Sequence, residues 1–217
     1  MAAVPARAQV GASAVLQTDN LYRGHSLSGR RPTAGLNLSY DHPSGAYAGA
    51  SLSLPIEHYG QIGVVDYLGY VARLGAQSLD VGVTDANVIG YRAPRHRVEY
   101  QEVYVGLLSR HLSAHLHYSP NYFHTGVQTL YADLDGVMRS DDDAWRVFGH
   151  LGALTPLDAP ARPGSHKERY DVSVGVARRF SHTEVSLAWS ATTPRVIQAN
   201  GEPQDHAAVV LSLAYFF

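Results

Sequence analysis

The C-terminal stretch Ala207-Ala208-Val209-Val210-Leu211-Ser212-Leu213-Ala214-Tyr215-Phe216-Phe217 decides the fold. Val209, Leu211, Leu213, Tyr215 and Phe217 share one face, while Ala208, Val210, Ser212, Ala214 and Phe216 share the other, which is the two-residue period of a strand. One face is large and apolar and the opposite one is mostly small. Soluble sheets seldom end this way. If such a strand faces lipid, it must also pair with the first strand and close the sheet, because an open edge in hydrocarbon leaves backbone groups without partners.

Composition agrees with strands in a bilayer. No run approaches the roughly 18 apolar residues of a membrane helix, so a spanning segment has to be β. The mean hydropathy is slightly negative, as a barrel allows when every second side chain points to a polar lumen. The chain has 217 residues and no cysteine, which fits one domain and excludes thiol catalysis and cysteine-ligated metals. A net charge of −2 gives no pull toward nucleic acid, and the arginine-for-lysine bias, with Lys167 the single lysine, carries no functional reading. Ala6-Arg7-Ala8 has the small-x-small form of a signal-peptidase site, so residues 1–8 read as a signal-peptide remnant or tag and 9–217 as a single barrel domain. Leu213, Tyr215 and Phe217 resemble the terminal signal by which bacterial outer-membrane barrels reach the barrel-assembly machinery.

The rest of the chain repeats the strand rhythm. Predicted strands are Val10–Tyr22, Thr33–Tyr40, Ala46–Leu54, Val64–Arg73, Ser78–Val88, Val98–Leu108, Leu112–Ser119, Thr129–Val137, Trp145–Leu154, Arg169–Arg178, Glu184–Ala191 and the terminal one. The connections around 42–45, 75–77, 109–111, 140–143 and 179–182 are short. Those around 24–32, 91–97, 120–128, 155–168 and 192–206 are mostly longer and hold most of the prolines, with 57–62 intermediate. The expected fold is therefore all-β: an antiparallel transmembrane β-barrel of about 12 strands, with short periplasmic turns and longer extracellular loops. Tyr22, Tyr40, Tyr47, Tyr118, Tyr122, Trp145, Tyr170, Trp189, Tyr215 and Phe217 fall near predicted strand ends, where interfacial aromatic girdles belong.

Several short stretches resemble a family of outer-membrane porins known as TorF-type. They are Thr18-Asp19-Asn20-Leu21-Tyr22-Arg23-Gly24, Gly45-Ala46-Tyr47-Ala48-Gly49, Asp66-Tyr67-Leu68-Gly69-Tyr70, Glu102-Val103-Tyr104-Val105-Gly106 and Tyr118-Ser119-Pro120-Asn121-Tyr122, in that order along the chain. Val64 and Asn121 stand where that family often has acids, and the stretch after Asp80-Val81-Gly82 lacks its usual tyrosines. The resemblance implies a barrel in the bacterial outer membrane, and the departures imply an altered selectivity if the missing acids line the lumen.

Candidate chemistry is sparse. His115 and His117 share a strand face with Ser113 and Ser119. A metal centre needs a third ligand, for which Glu102 and His150 are candidates on neighbouring strands, but no spacing brings them together. The reading of this face is solvated lumen histidines, with no metal or cofactor assigned. His117-x-Ser119 matches by type the histidine base and serine of outer-membrane phospholipases, with Asn121 as a possible third member, although Pro120 favours a structural role. Asp133-Leu134-Asp135-Gly136 with Asp141–Asp143 has the outline of a calcium loop, but Tyr131 takes the first ligand position and the last is aspartate instead of glutamate, so the reading is a solvated acidic turn.

A distributed set of polar residues reads as lumen-lining: Asp19, Asp66, Asp80, Glu102, Tyr104, His115, His117, Asp133, Arg146, Asp171 and Glu184. The predicted loops are net basic, with Arg23 among them and an extracellular rim formed by Arg30, Arg31, Arg92, Arg95 and Arg97. That rim suits lipopolysaccharide phosphates or anionic solutes, the acidic faces beneath it favouring the lipid. The function expected is passive diffusion of small polar solutes through an outer-membrane porin-like channel, without catalysis. A phospholipase-like hydrolase and a non-conducting structural barrel are the alternatives.

Overall fold

The computed structural model describes residues 8–56, 61–90, 97–122, 127–158, 168–193 and 207–217. The chain starts with β1 (Gln9–Gln17) and leaves the wall to make a small hairpin, β2 (Leu21–Tyr22) and β3 (His25–Ser26). It then runs through β4 (Thr33–Asp41), β5 (Ala46–Pro55), β6 (Gln61–Leu74), β7 (Gln77–Gly90), β8 (Arg97–Leu108) and β9 (Leu112–Ser119). β10 (Thr129–Arg139), β11 (Trp145–Pro156), β12 (Arg169–Phe180), β13 (Thr183–Thr193) and β14 (Ala207–Phe216) complete it. Every strand except β2 and β3 belongs to one closed antiparallel barrel, each paired with its neighbours in sequence order. Closure is made by β14 on β1, from Ser13 opposite Phe216 to Gln17 opposite Ser212, with Phe217 N donating to Ala12 O at 3.1 Å. No helix of the described residues is long and apolar enough to cross a membrane.

Alternation sorts the wall into two surfaces. Leu36, Leu68, Val83, Leu116, Leu151 and Leu211 are among the large apolar side chains left exposed around the outside, and Leu213, Tyr215 and Phe217 of the last strand stand with them. Acidic, histidine and small residues take the inner positions, so the barrel is the reverse of a soluble ligand-binding one. Tight connections gather at one end. In the first of them Gly45 has φ 99°, donates to His42 O at 2.9 Å and accepts from Val71 N at 2.9 Å; an added Cβ there would run into the Val71 carbonyl, so only glycine fits. In the turn between β10 and β11, Asp142 accepts from Ser140 Oγ and from Ala144 N, and these bonds hold its carboxyl below the usual carboxylate range.

Within the wall, inward rings lie across inward glycines of the adjacent strand. Tyr47 is opposite Gly69 and Tyr67 opposite Gly49, so β5 and β6 exchange a ring for a notch twice over. Tyr104 covers Gly82, His115 covers Gly106 and Phe148 covers Gly175 in the same way. A side chain at any of these glycines would collide with the ring. The Tyr-x-Gly spacing in three of the quoted motifs therefore has a packing role.

Three expectations are corrected. The first strand stops at Gln17 instead of reaching Tyr22, because Thr18 caps it on β14 and the chain turns inward there. Asp66 does not line the lumen: it pairs with Ala50 and Asp85 on the side that carries Leu68 and Tyr70, and is exposed on the outer wall. Val64 has the same parity and is paired with Leu52, so its departure from the resembled pattern does not bear on the lumen. Tyr22 and Tyr122 leave the girdle for a buried ring cluster with Tyr100, and Tyr47 points inward, because strand-end position does not determine parity. Asp133 and Asp135 lie on β10, within the strand expected at Thr129–Val137, which agrees with the weakness of the calcium-loop outline.

Candidate functional site

The hairpin that β1 releases is folded inside the barrel. Asp19 accepts hydrogen bonds from Ser26 Oγ at 2.5 Å and Ser28 Oγ at 2.7 Å, and Leu27 N donates to Asn20 O at 2.7 Å, which closes the loop on itself. Its tip is Arg23-Gly24, with φ 48° and 72°, the pair of positive values that a two-residue turn of this hand requires. Gly24 sits against the side chains of Thr192 and Asp171 on the opposite wall, where a Cβ has no room. Arg23 is thus not part of the basic rim. Its guanidinium forks onto Glu102 of β8 at 2.8 and 2.6 Å and lies 3.7 Å from the centre of the Tyr131 ring. The sequence carried a signal for this hairpin in the Arg-Gly pair between Leu21-Tyr22 and His25-Ser26, too short to show alternation.

Around that tip the wall strands β7 to β12 present a connected polar tier. Tyr47 donates to Asp80 at 2.6 Å and its hydroxyl contacts that of Tyr104. His115 lies between Asp80 and Asp133, 3.3 Å from each, and His117 Nε2 meets the other oxygen of Asp133 at 2.9 Å. The remaining nitrogen of His117 faces Glu102 at 3.6 Å. Beyond Tyr131, His150 contacts Asp135 at 2.8 Å and Asp171 at 2.9 Å, and the Tyr131 hydroxyl donates toward Asp171 at 3.2 Å. Asp19, Asp80, Glu102, Tyr104, His115, His117, Asp133 and Asp171 are thereby placed in the interior, and the structure joins all of them but Asp19 into one network. Arg146 and Glu184 also point inward but pair with each other, without a bond to the tier.

The expected lumen-lining set lacked Arg23, Tyr131 and Asp135, and His150, considered as a third ligand for the β9 histidines, meets Asp135 and Asp171 instead. The sequence reading did not anticipate Asp133 as the group that both β9 imidazoles share, because contact across β9 and β10 depends on register: Asp133 stands opposite His115. The proposed base and nucleophile are not joined. Ser119 Oγ is fully buried with no hydrogen-bond partner, and His117 is turned to Asp133. Of the basic rim, Arg92 and Arg95 lie outside the described residues and Arg97 opens β8, while Arg30 is exposed just past the hairpin and Arg31 half-buried.

The interior is uneven. On the side of β1 and β4 to β7 it is lined by small or neutral residues, among them Gly35, Asn37, Ser51, Ser53 and Ala86, and a cavity of about 250 Å³ remains there beside the hairpin. The hairpin is anchored to the charged side through Arg23 and Gly24 and to the neutral side through Asn20, whose Nδ2 donates to Ser53 Oγ at 2.9 Å, and Leu21, Tyr22 and Leu27 border the cavity.

An apolar outer wall, a polar and charged interior and twelve strands closed edge to edge define the class: this is the barrel fold of outer-membrane porins. The chain belongs to Gcw_chp, described as a bacterial protein of unknown function, whose family profile matches residues 2–209. The TorF-type likeness of the motifs remains a resemblance beside that membership. No curated protein matches the chain in sequence. In structure the barrel is similar to the KdgM porin, with a TM-score of 0.59 at 10% identity over 95% of this chain and 99% of that one. It is similar to the NanC porin, with a TM-score of 0.60 at 9% identity over 96% and 100%. An outer membrane channel from Pseudomonas putida F1 gives 0.51 at 13% identity over 99% and 97%. The KdgM porin has also been solved in complex with disordered oligogalacturonate.

Proposed function

We propose that this barrel is a channel of the bacterial outer membrane through which small polar solutes diffuse passively beside the in-folded hairpin. The observation that carries the reading is the pairing of an apolar outer wall with a hydrogen-bonded, charged interior that retains a cavity of about 250 Å³ beside the hairpin. Charged groups are tolerable there because they face water or one another. Asp66 and Asp85 stand opposite each other on the outer side of β6 and β7, strands of 14 residues each, and are the polar exceptions in a wall that is otherwise apolar beside them at Leu68 and Val83. Asp80, Glu102, Asp133, Asp135 and Asp171 outweigh Arg23 in the tier, which favours neutral and cationic solutes over polyanions such as the oligogalacturonate met in the KdgM porin.

Planar-bilayer recording of the folded protein tests this. Discrete conductance steps are expected, and a folded barrel that gives none above background would make it a structural barrel. Phospholipid hydrolysis abolished by Ser119→Ala would make it an enzyme. We also propose that the basic rim of Arg30, Arg31, Arg92, Arg95 and Arg97 meets lipopolysaccharide phosphates, and that Leu213, Tyr215 and Phe217 are read by the barrel-assembly machinery. Anion selectivity that falls when Arg92, Arg95 and Arg97 are replaced by Ala would assign the rim to solutes instead.

A further inference from the structure

We infer that His115, His117 and Asp133 form a binding site for one divalent transition-metal ion of the zinc class, inside the lumen. His115 and His117 are two residues apart on β9, so both imidazoles point inward, and Asp133 on β10 is directly opposite His115. Its carboxylate lies between the rings, with Oδ1 3.3 Å from His115 Nδ1 and Oδ2 2.9 Å from His117 Nε2. One ligand atom from each of the three residues can be chosen with all three within 4.8 Å of one another. Ligands about 2.0–2.2 Å from a tetrahedral ion stand about 3.3–3.6 Å apart, so a gap as wide as the triad's 4.8 Å limit closes by about 1.5 Å or less of side-chain rotation.

The surroundings point the same way, independently of that spacing. Coordination through His115 Nδ1 leaves Nε2 as the N–H, and this nitrogen faces Asp80 at 3.3 Å. Coordination through His117 Nε2 leaves Nδ1 as the N–H, and this nitrogen is buried without a hydrogen-bond partner, aimed at Glu102 3.6 Å away. Each imidazole thus turns one nitrogen to the shared carboxylate and the other to an outer one, the arrangement that orients histidine ligands in metal sites. The outer carboxylates are themselves held, Asp80 by the Tyr47 hydroxyl at 2.6 Å and Glu102 by Arg23. With neutral imidazoles, Asp80, Asp133 and Glu102 against Arg23 leave two negative charges, which one dication balances. Two nitrogens and one oxygen select zinc, cobalt, nickel or copper over calcium and magnesium, which take oxygen ligands. The lumen supplies water for the fourth position.

The test uses the folded barrel in detergent, stripped with chelator, dialysed against Zn²⁺ and analysed for bound metal, with Co²⁺ absorption as a second readout of coordination. About one ion per barrel is expected, with visible Co²⁺ bands of tetrahedral type. His115→Ala with His117→Ala should abolish both signals, Asp80→Asn should weaken affinity by about 10- to 100-fold, and His111→Ala, in a turn outside the cluster, should leave them intact. Asp133→Asn, close to isosteric, guards against loss through misfolding and should also lower affinity. No retained metal, or equal uptake by the double histidine variant, would overturn the assignment. Metal binding is read without conductance, so its outcome is separate from that of the channel reading.

Discussion

Arg23, at the tip of a hairpin only a few residues from the first strand, donates from both terminal nitrogens to the two carboxylate oxygens of Glu102 on β8, at 2.8 and 2.6 Å. The side chains are 9% and 2% exposed, so the pair is buried inside the lumen, and this pair together with the packing of Gly24 against β12 and β13 holds the hairpin across the barrel. The in-folded hairpin is therefore made by residues next to the first strand and tied to strands far along the chain.

Removing one partner leaves the other charge buried and unpaired. Arg23→Met should destabilise the barrel by about 3–5 kcal/mol and raise conductance as the hairpin loosens, whereas Arg23→Met with Glu102→Leu should recover most of the stability. Denaturant unfolding and bilayer recording on the same preparations check both halves. Unchanged conductance in Arg23→Met would show that the hairpin does not limit the pore.

Filling a notch should act through the ring that occupies it. Gly69→Val drives Tyr47 off its seat and breaks the bond from Tyr47 to Asp80, so a loss of about 1–3 kcal/mol is expected from overpacking. Tyr47→Phe keeps the packing and should cost about 1 kcal/mol for the hydrogen bond alone. Unfolding midpoints of the two variants should separate in that order.

Permeation should favour cations. Reversal potentials under a salt gradient are expected to show cation preference, reduced in Asp80→Asn and Asp171→Asn, and weakened at high ionic strength as the carboxylates are screened. Anion preference in the parent protein would contradict the electrostatic reading of the tier.

The β10–β11 turn offers a pH test outside the spanning strands. Asp142 is held below its ordinary value of 3.8, so its contribution is present above that pH and disappears as the pH falls through the depressed folded value. Asp142→Ala should therefore unfold more easily than the parent near neutrality, and the difference should close in strong acid. A gap independent of pH would trace the loss to the turn backbone instead.

Strand existence was legible because one face of most wall strands is apolar over the greater part of its length, and alternation is a local property of the chain. Hidden were the features that depend on parity and partners. Asp66 looks like any inward acid until register sets it beside Ala50 and Asp85 on the outside, and Leu21–Ser26 is too short to announce a hairpin. The Tyr-x-Gly motifs were visible as strings, but their meaning is cross-strand: Tyr47 is paired with Gly69, not with a glycine of its own strand.

By itself, then, the sequence determined the class of fold, the count of wall strands, the short and long connections and the closing role of Ala207–Phe217, because all of these follow from local period and from the need to satisfy backbone groups in lipid. Tertiary structure alone decided which charges meet. Arg23 reaches Glu102 and His117 reaches Asp133 only once closure and register bring β1, β8, β9 and β10 around one lumen, and a one-residue slip of any of them would send those side chains to the other face.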